Sequence, residues 1–150
     1  MDDRSRGKDG PQGALPLNGF LDTSVVVRYL TGDPPEMAVK AARMIDRVDG
    51  LLVTGVVLSE TAHVLTSVYK LPRQVAVDYL IELLSKSNIT LFGLDKGLVI
   101  QGLLMCKPSG RISFDDALVW AAARSSGKNV VYSFDRRFPS DGLEIIAVSA

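Results

Sequence analysis

The chain is poor in the residues that build disulfides and zinc sites, with a single cysteine, Cys106, and a single histidine, His63. One thiol excludes an intramolecular disulfide, and the shortage of both residues excludes zinc sites built on paired Cys or His. A lone cysteine also fits a reducing compartment, so a cytoplasmic location is expected. No apolar run is long enough to span a bilayer, and no membrane partner is expected. The opening residues Met1 to Gly10 lack the apolar stretch of a secretory leader. Neither sign of charge is in excess: 17 acidic residues balance 17 basic ones, for a net charge of +0. A polyanion would therefore be drawn in by a local basic rim or by metal ions, because the field of the whole protein offers nothing. Gly-x-x-x-x-Gly-Lys-Ser/Thr is absent too, which excludes a P-loop.

What is present suits one domain with a real core: 150 residues, 47% of them hydrophobic. Residues 1–17 are polar, carry Gly7, Gly10, Pro11, Gly13 and Pro16, and show no periodicity, so a disordered tail is expected there and one domain over 18–150. Asn18 to Asp22 reads as a first strand, Leu51 to Thr54 as a second and Ile89 to Phe92 as a third. Asn129 to Ser133 and Leu143 to Val148 read as the last two. Helices are expected over Thr23 to Leu30, from Pro34-Pro35 to Gly50, about Val56 to Tyr69, Gln74 to Lys86, about Asp95 to Met105, and from Ser113 to Gly127. Strands alternating with helices imply an α/β fold with a parallel sheet covered on both faces.

Asp22 ends the first strand and is followed by two hydroxyl residues, Thr23 and Ser24, that can satisfy a helix start. Open α/β sheets place ligands at that strand edge. By itself Asp22 is as well explained as a helix cap. Three further carboxylates join it: Glu60 on the helix after strand two, Asp116 in the first turn of the helix before strand four, and Asp135 directly after strand four. Packed together, four carboxylates repel one another unless a divalent cation compensates. An all-oxygen set suits Mg²⁺ or Mn²⁺, which can acidify bound water and clamp a phosphoryl group.

Four segments carry a resemblance: Phe-Leu-Asp-Thr-Ser-Val-Val-Val-Arg-Tyr-Leu (20–30), Val-Val-Leu-Ser-Glu (56–60), Phe-Asp-Asp-Ala-Leu-Val-Trp-Ala-Ala-Ala (114–123) and Val-Val-Tyr-Ser-Phe-Asp-Arg-Arg-Phe (130–138). In this order and spacing they resemble the PIN-domain ribonucleases, and among them the small VapC-type toxins of toxin–antitoxin pairs. The resemblance runs from Asn18 to the C-terminus. It implies a three-layer α/β/α sandwich with a five-stranded parallel sheet of order 3-2-1-4-5. It also implies a Mg²⁺-dependent endoribonuclease acting on RNA, a homodimer, and an antitoxin partner. The family's acidic positions fall on Asp22, Glu60, Asp116 and Asp135, as catalytic and metal-holding residues. Ser24 stands where Asn is commoner, and Ser133 where Thr is commoner; both keep a hydrogen-bonding group. Thr23, Ser24, Ser133 and Asp115 are expected to support the carboxylates from behind.

Simpler roles compete at each position. Ser113-x-x-Asp116 is also a capping box, and Asp115 could serve the helix dipole; Asp116 is preferred because the family's acid precedes Ala-Leu, with Asp115 as runner-up. Glu60 could be a solvated helix residue and Asp135 a turn residue. His63 is expected to be structural, Cys106 a helix filler, and Trp120 core or dimer interface. Arg28, Arg136, Arg137 and Lys107 are candidates to touch RNA phosphates, and each serves equally well as solvated surface. A housekeeping RNA-processing nuclease and a PIN-like scaffold without catalysis are the alternative functions. Phospho-receiver and haloacid-dehalogenase patterns fail, because Asp22 is followed by Thr-Ser.

Overall fold

The structure, a computed structural model, describes residues 18–148, so the tail expected over 1–17 lies outside the described residues. The chain runs β1 (Gly19–Phe20), α1 (Thr23–Thr31), α2 (Pro35–Arg47), β2 (Leu51–Val53), α3 (Gly55–His63), α4 (Arg73–Leu84), β3 (Ile89–Leu91), α5 (Lys96–Cys106), α6 (Phe114–Ser126), β4 (Val130–Ser133) and β5 (Glu144–Ala147). The helix expected to reach Tyr69 instead widens into a π turn over Val64–Val68, where the Tyr69 amide reaches back to the Val64 carbonyl at 3.1 Å. Such turns insert one residue into a helical repeat and shift the side chains that follow.

Parallel pairing joins β1 to β2 and β2 to β3, with Gly19 opposite Leu51 and Val53 opposite Leu91. A second parallel pair joins β4 to β5, with Ser133 opposite Ala147. The neighbours 3-2-1 and 4-5 are therefore as expected. The continuous five-stranded sheet is not, because among the described residues no backbone hydrogen bond links β1 to β4. The cause is local. β1 pairs over two residues, one of them a glycine, before Asp22 turns the chain into α1. Its last ladder bond, from the Leu21 amide to the Leu52 carbonyl at 2.8 Å, points to β2.

What the ladder does not join, apolar packing does. Leu21, Val53 and Ile89 from the first sheet share one core with Val131 from the second. Trp120, Leu58, Leu80, Leu83 and Leu103 are fully buried within it; side chains of this size each contribute about 1.5–3 kcal/mol on burial. Trp120 is thus core, one of its two expected places. Cys106 is buried as expected, and burial pushes its thiol up to about 11, which leaves it inert. α5 and α6 cross closely at Gly102, where an added Cβ would lie 3.0 Å from the Ala117 carbonyl oxygen and 3.5 Å from the Trp120 ring. The β4–β5 crossover contains no helix. It is pinned to α6 instead, by bonds from Trp120 Nε1 (2.8 Å) and Arg124 Nη1 (3.1 Å) to the Asp141 carbonyl.

Candidate active site

Asp22 leaves β1 and caps α1: its Oδ2 accepts from the Ser24 amide at 3.1 Å and from the Ser24 hydroxyl at 2.6 Å. The Ser24 hydroxyl, with its amide behind it, holds the Asp22 carboxyl below the usual carboxylate range. The cap is Asp22, the simpler role weighed for it, and Thr23 and Ser24 do not cap the helix. Thr23 is free for other work, and its Oγ1 donates to Glu60 Oε1 at 2.6 Å. That bond crosses from the first residue of α1 to α3, which brings the first two carboxylates of the set to one place.

On the opposite wall, α6 begins with Ser113 as its cap, the hydroxyl accepting from the Asp116 amide at 3.0 Å. The Ser113 half of the expected capping box is thus formed, and Asp115 takes no part in it. Asp115 reaches across to α3, where it accepts a very short bond from the Ser59 hydroxyl beside Glu60. Asp116 is half-buried and directed elsewhere. Burial, then the Asp135 charge and more weakly that of Asp115, raise its carboxyl above the usual range, against the opposing pull of the Ser113 hydroxyl. Asp135 itself is exposed at the end of β4, its amide donating to Ser133 Oγ at 2.9 Å and its Oδ1 accepting from the Arg137 amide at 2.8 Å.

Between α1, α3 and the start of α6 lies a cleft of about 850 Å³, lined by Asp22, Thr23, Ser59, Glu60, His63, Arg73 and Asp115 among others. Of the expected acids it exposes Asp22 and Glu60, with the runner-up Asp115, while Asp116 and Asp135 stand off its lining as a second pair. Among the described residues no three Asp, Glu, His or Cys side chains are drawn together tightly enough to enclose an ion unaided. The donor set nonetheless suits a hard cation that keeps most of its water, as Mg²⁺ does with one or two direct carboxylates. Burial first, and the Asp135 charge second, make Asp116 costly to ionise, a cost that such an ion would offset.

Three cleft residues were not legible as site residues. His63, expected to be structural, is exposed in the lining, with its Nδ1 3.4 Å from Ser67 Oγ. Ser59 is identifiable only through its bond to Asp115. Arg73 opens α4; its Nη1 donates to the Cys106 and Ile112 carbonyls, both at 3.2 Å, and its guanidinium lies 4.8 Å from the Phe114 ring centre. It thereby ties down the loop that delivers Asp115 and Asp116. No sequence signal marks it beyond its place after Leu71-Pro72.

The basic rim is thinner than expected. Arg28 is half-buried, with an Nε that has no partner among the described residues. Lys107 pairs with Asp78 at 2.8 Å, and Arg137 Nε lies 3.7 Å from Asp135 Oδ1. Arg136 is exposed and makes no ion pair among the described residues.

The family model for the PIN domain matches residues 19–140, from β1 through the segment after β4. No curated protein matches the chain.

Proposed function

The chain belongs to the PIN-domain family, and from that premise we propose that it is a Mg²⁺- or Mn²⁺-dependent endoribonuclease, the toxin of a type II toxin–antitoxin pair. The observation that carries the reading is the Thr23–Glu60 bond, which ties Glu60 to the residue next to Asp22 in the lining of a cleft of about 850 Å³. Asp22, Glu60, Asp116 and Asp135 would hold the cation, directly or through water, with Asp115 the alternative to Asp116. When bound, it supplies Lewis acidity toward the phosphate and acidifies water.

The chain's own groups do the rest. Ser24 fixes Asp22, Thr23 fixes Glu60, and Arg73 fixes the loop before α6. Burial and the Asp135 charge raise Asp116 in the metal-free chain, and a bound cation would favour its ionised, ligating form; the proton given up by the attacking water passes to solvent in the open cleft. Oxygen bonds to phosphorus as the P–O3′ bond breaks, and the leaving oxygen takes a proton from solvent in the open cleft. The products are a 5′-phosphate and a 3′-hydroxyl.

The toxin assignment brings two protein partners. A second copy of the chain fits the apolar groove of Val56, Phe92, Leu94, Leu118 and Val119, whose exposed Val56 and Phe92 call for cover. An antitoxin arginine entering the carboxylate set would displace the cation, since a guanidinium pairs with carboxylates in two-point geometry. No helix of the described residues is long and apolar enough to cross a membrane.

The test is cleavage of labelled single-stranded RNA by the purified chain with Mg²⁺, with chelator, and by Glu60→Gln. Mg²⁺-dependent products with 5′-phosphates, reduced about 100-fold or more by Glu60→Gln, are expected. Intact RNA under all conditions, or equal cutting by Glu60→Gln, overturns the reading. Growth arrest on expression of the wild type, and not of Glu60→Gln, separates a toxin from an RNA-processing enzyme.

A further inference from the structure

Phe134 and Tyr132 are the two most exposed large hydrophobic side chains among the described residues, at 81% and 70%. Tyr132 alternates with buried Val131 and half-buried Ser133 on β4, and Phe134 follows in the bend that begins directly after the strand. Phe20 and Phe92, by contrast, are in contact with each other, edge to face with ring centres 5.5 Å apart. Neither Tyr132 nor Phe134 has a ring partner among the described residues.

The position of Phe134 is also fixed. On one side the Asp135 amide donates to Ser133 Oγ; on the other the Arg137 amide donates to Asp135 Oδ1. The first bond spans Phe134 and the second spans Arg136, so the backbone that carries both residues is held in successive turns, which lowers the entropic cost of using them. Directly after it come Asp135, one of the four proposed acids, and the unpaired cation Arg136. An exposed ring, a free cation and a phosphate-handling carboxylate in consecutive positions are the parts of a single-strand binding subsite, in which bases stack on aromatics and cations track the backbone. A dry protein interface is the poorer fit, because Asp135, Arg136 and Arg137 beside the rings are all exposed and charged.

We propose that Phe134, with Tyr132 beside it, is a stacking platform for an unpaired base next to the scissile phosphate, and that Arg136 meets the neighbouring phosphate. The proposal rests on the ribonuclease reading and adds to it the side chains that take the base.

The experiment uses the full chain carrying Glu60→Gln, so that substrate survives, and a single-stranded oligoribonucleotide containing 2-aminopurine. Binding is followed by anisotropy and stacking by quenching of the 2-aminopurine. Phe134→Ala is expected to weaken binding about 5- to 100-fold and abolish the quench, and Tyr132→Ala to do the same to a smaller degree. Phe134→Trp is expected to keep both, and Phe134→Leu to restore neither. A duplex of the same sequence should bind Phe134→Ala and its parent equally, because its bases are already stacked. Unchanged affinity and quench in Phe134→Ala overturn the platform, as does full rescue by Leu. A change of oligomeric mass in Phe134→Ala, read by light scattering, assigns the rings to a protein interface and overturns it as well. If RNA is cut by the wild type but never quenches, the platform alone falls. If the wild type neither cuts nor binds RNA, the ribonuclease reading falls with it.

Discussion

The Thr23 hydroxyl donates to the Glu60 carboxylate over 2.6 Å, joining positions 37 residues apart in the chain. A charge-assisted bond of this length orients its acceptor as well as stabilising it. Glu60 stands on a different helix from the one that Asp22 caps, so their relative placement depends on this link. Thr23→Val keeps the shape and removes the donor. It is expected to lower RNA cleavage about 10- to 100-fold with little change in melting temperature, whereas Thr23→Ser retains activity. Wild-type cleavage rates in Thr23→Val would show that Glu60 is oriented by something else.

Two aspartates respond to pH in opposite senses in the metal-free protein. Burial and the Asp135 charge raise the Asp116 carboxyl in the folded state, so the cost of ionising it sets in as pH rises from the unfolded value of 3.8 through the folded one. The Ser24 bonds lower Asp22, whose stabilisation is complete above 3.8 and fades as pH falls through its folded value. With chelator at pH 7, Asp116→Asn is expected to be more stable than wild type by less than about 1 kcal/mol, and the gain should vanish in acid. Asp22→Asn should be less stable at pH 7, with its deficit shrinking in acid. Urea titrations at both pH values check the two signs together.

Divalent cations reverse the balance at Asp116. An ion bound only by the folded chain stabilises it by about 2.7 kcal/mol at a hundred times its dissociation constant. Mg²⁺ or Mn²⁺ at constant ionic strength should therefore raise the wild-type melting temperature and leave that of a variant with all four acids changed to Ala unmoved. Equal shifts in both proteins would place the ion elsewhere.

Asp115 and Asp116 are separable by activity. If Asp116 is the working acid, Asp116→Asn abolishes cleavage while Asp115→Asn leaves most of it. The structure sharpens the stakes, since Asp115 lines the cleft and Asp116 is half-buried outside its lining. The reverse outcome would exchange their roles.

Gly102 bears on the same pair at a distance. Overpacking against the Ala117 carbonyl and the Trp120 ring costs about 1–3 kcal/mol, and the helix propensity of alanine returns about 1. Gly102→Ala is thus expected to lower stability by about 1 kcal/mol and to lower cleavage, because Ala117 directly follows Asp116. Denaturant midpoints and cleavage rates measured together test this; unchanged values in both would mean that the crossing yields freely.

Residues in regular contexts were legible. Leu51 to Val53 and Ile89 to Leu91 are short apolar runs between breakers, and they form the strands expected of them. Asp22, Asp116 and Asp135 stand at the strand ends and helix start where they were expected, but of the four acids only Asp22 and Glu60 line the cleft. Whether Asp115 or Asp116 faces the cleft was not legible, since adjacent helical residues differ by about 100° and the rotation of α6 is set by packing at Gly102. Arg73 escaped notice because its partners are backbone carbonyls, which have no identity in a sequence. The π turn at Val64–Val68 escaped because one inserted residue barely disturbs an apolar period. The gap between β1 and β4 follows from a ladder only two residues long, a matter of where Asp22 bends the chain and not of strand propensity.

That gap makes the domain a molecule with a seam. Asp22 and Glu60 belong to the half built on β1 to β3, while Asp116 and Asp135 flank the half built on β4 and β5. The halves adhere through side chains, with no shared ladder, so a slight parting at the seam would draw the two carboxylate pairs away from each other without unravelling either sheet. Amide exchange would register such breathing as protection that is high within each sheet and poor along the line between them. Anything that spans the line, an ion, a strand of RNA or a partner's arginine, would act as a stitch.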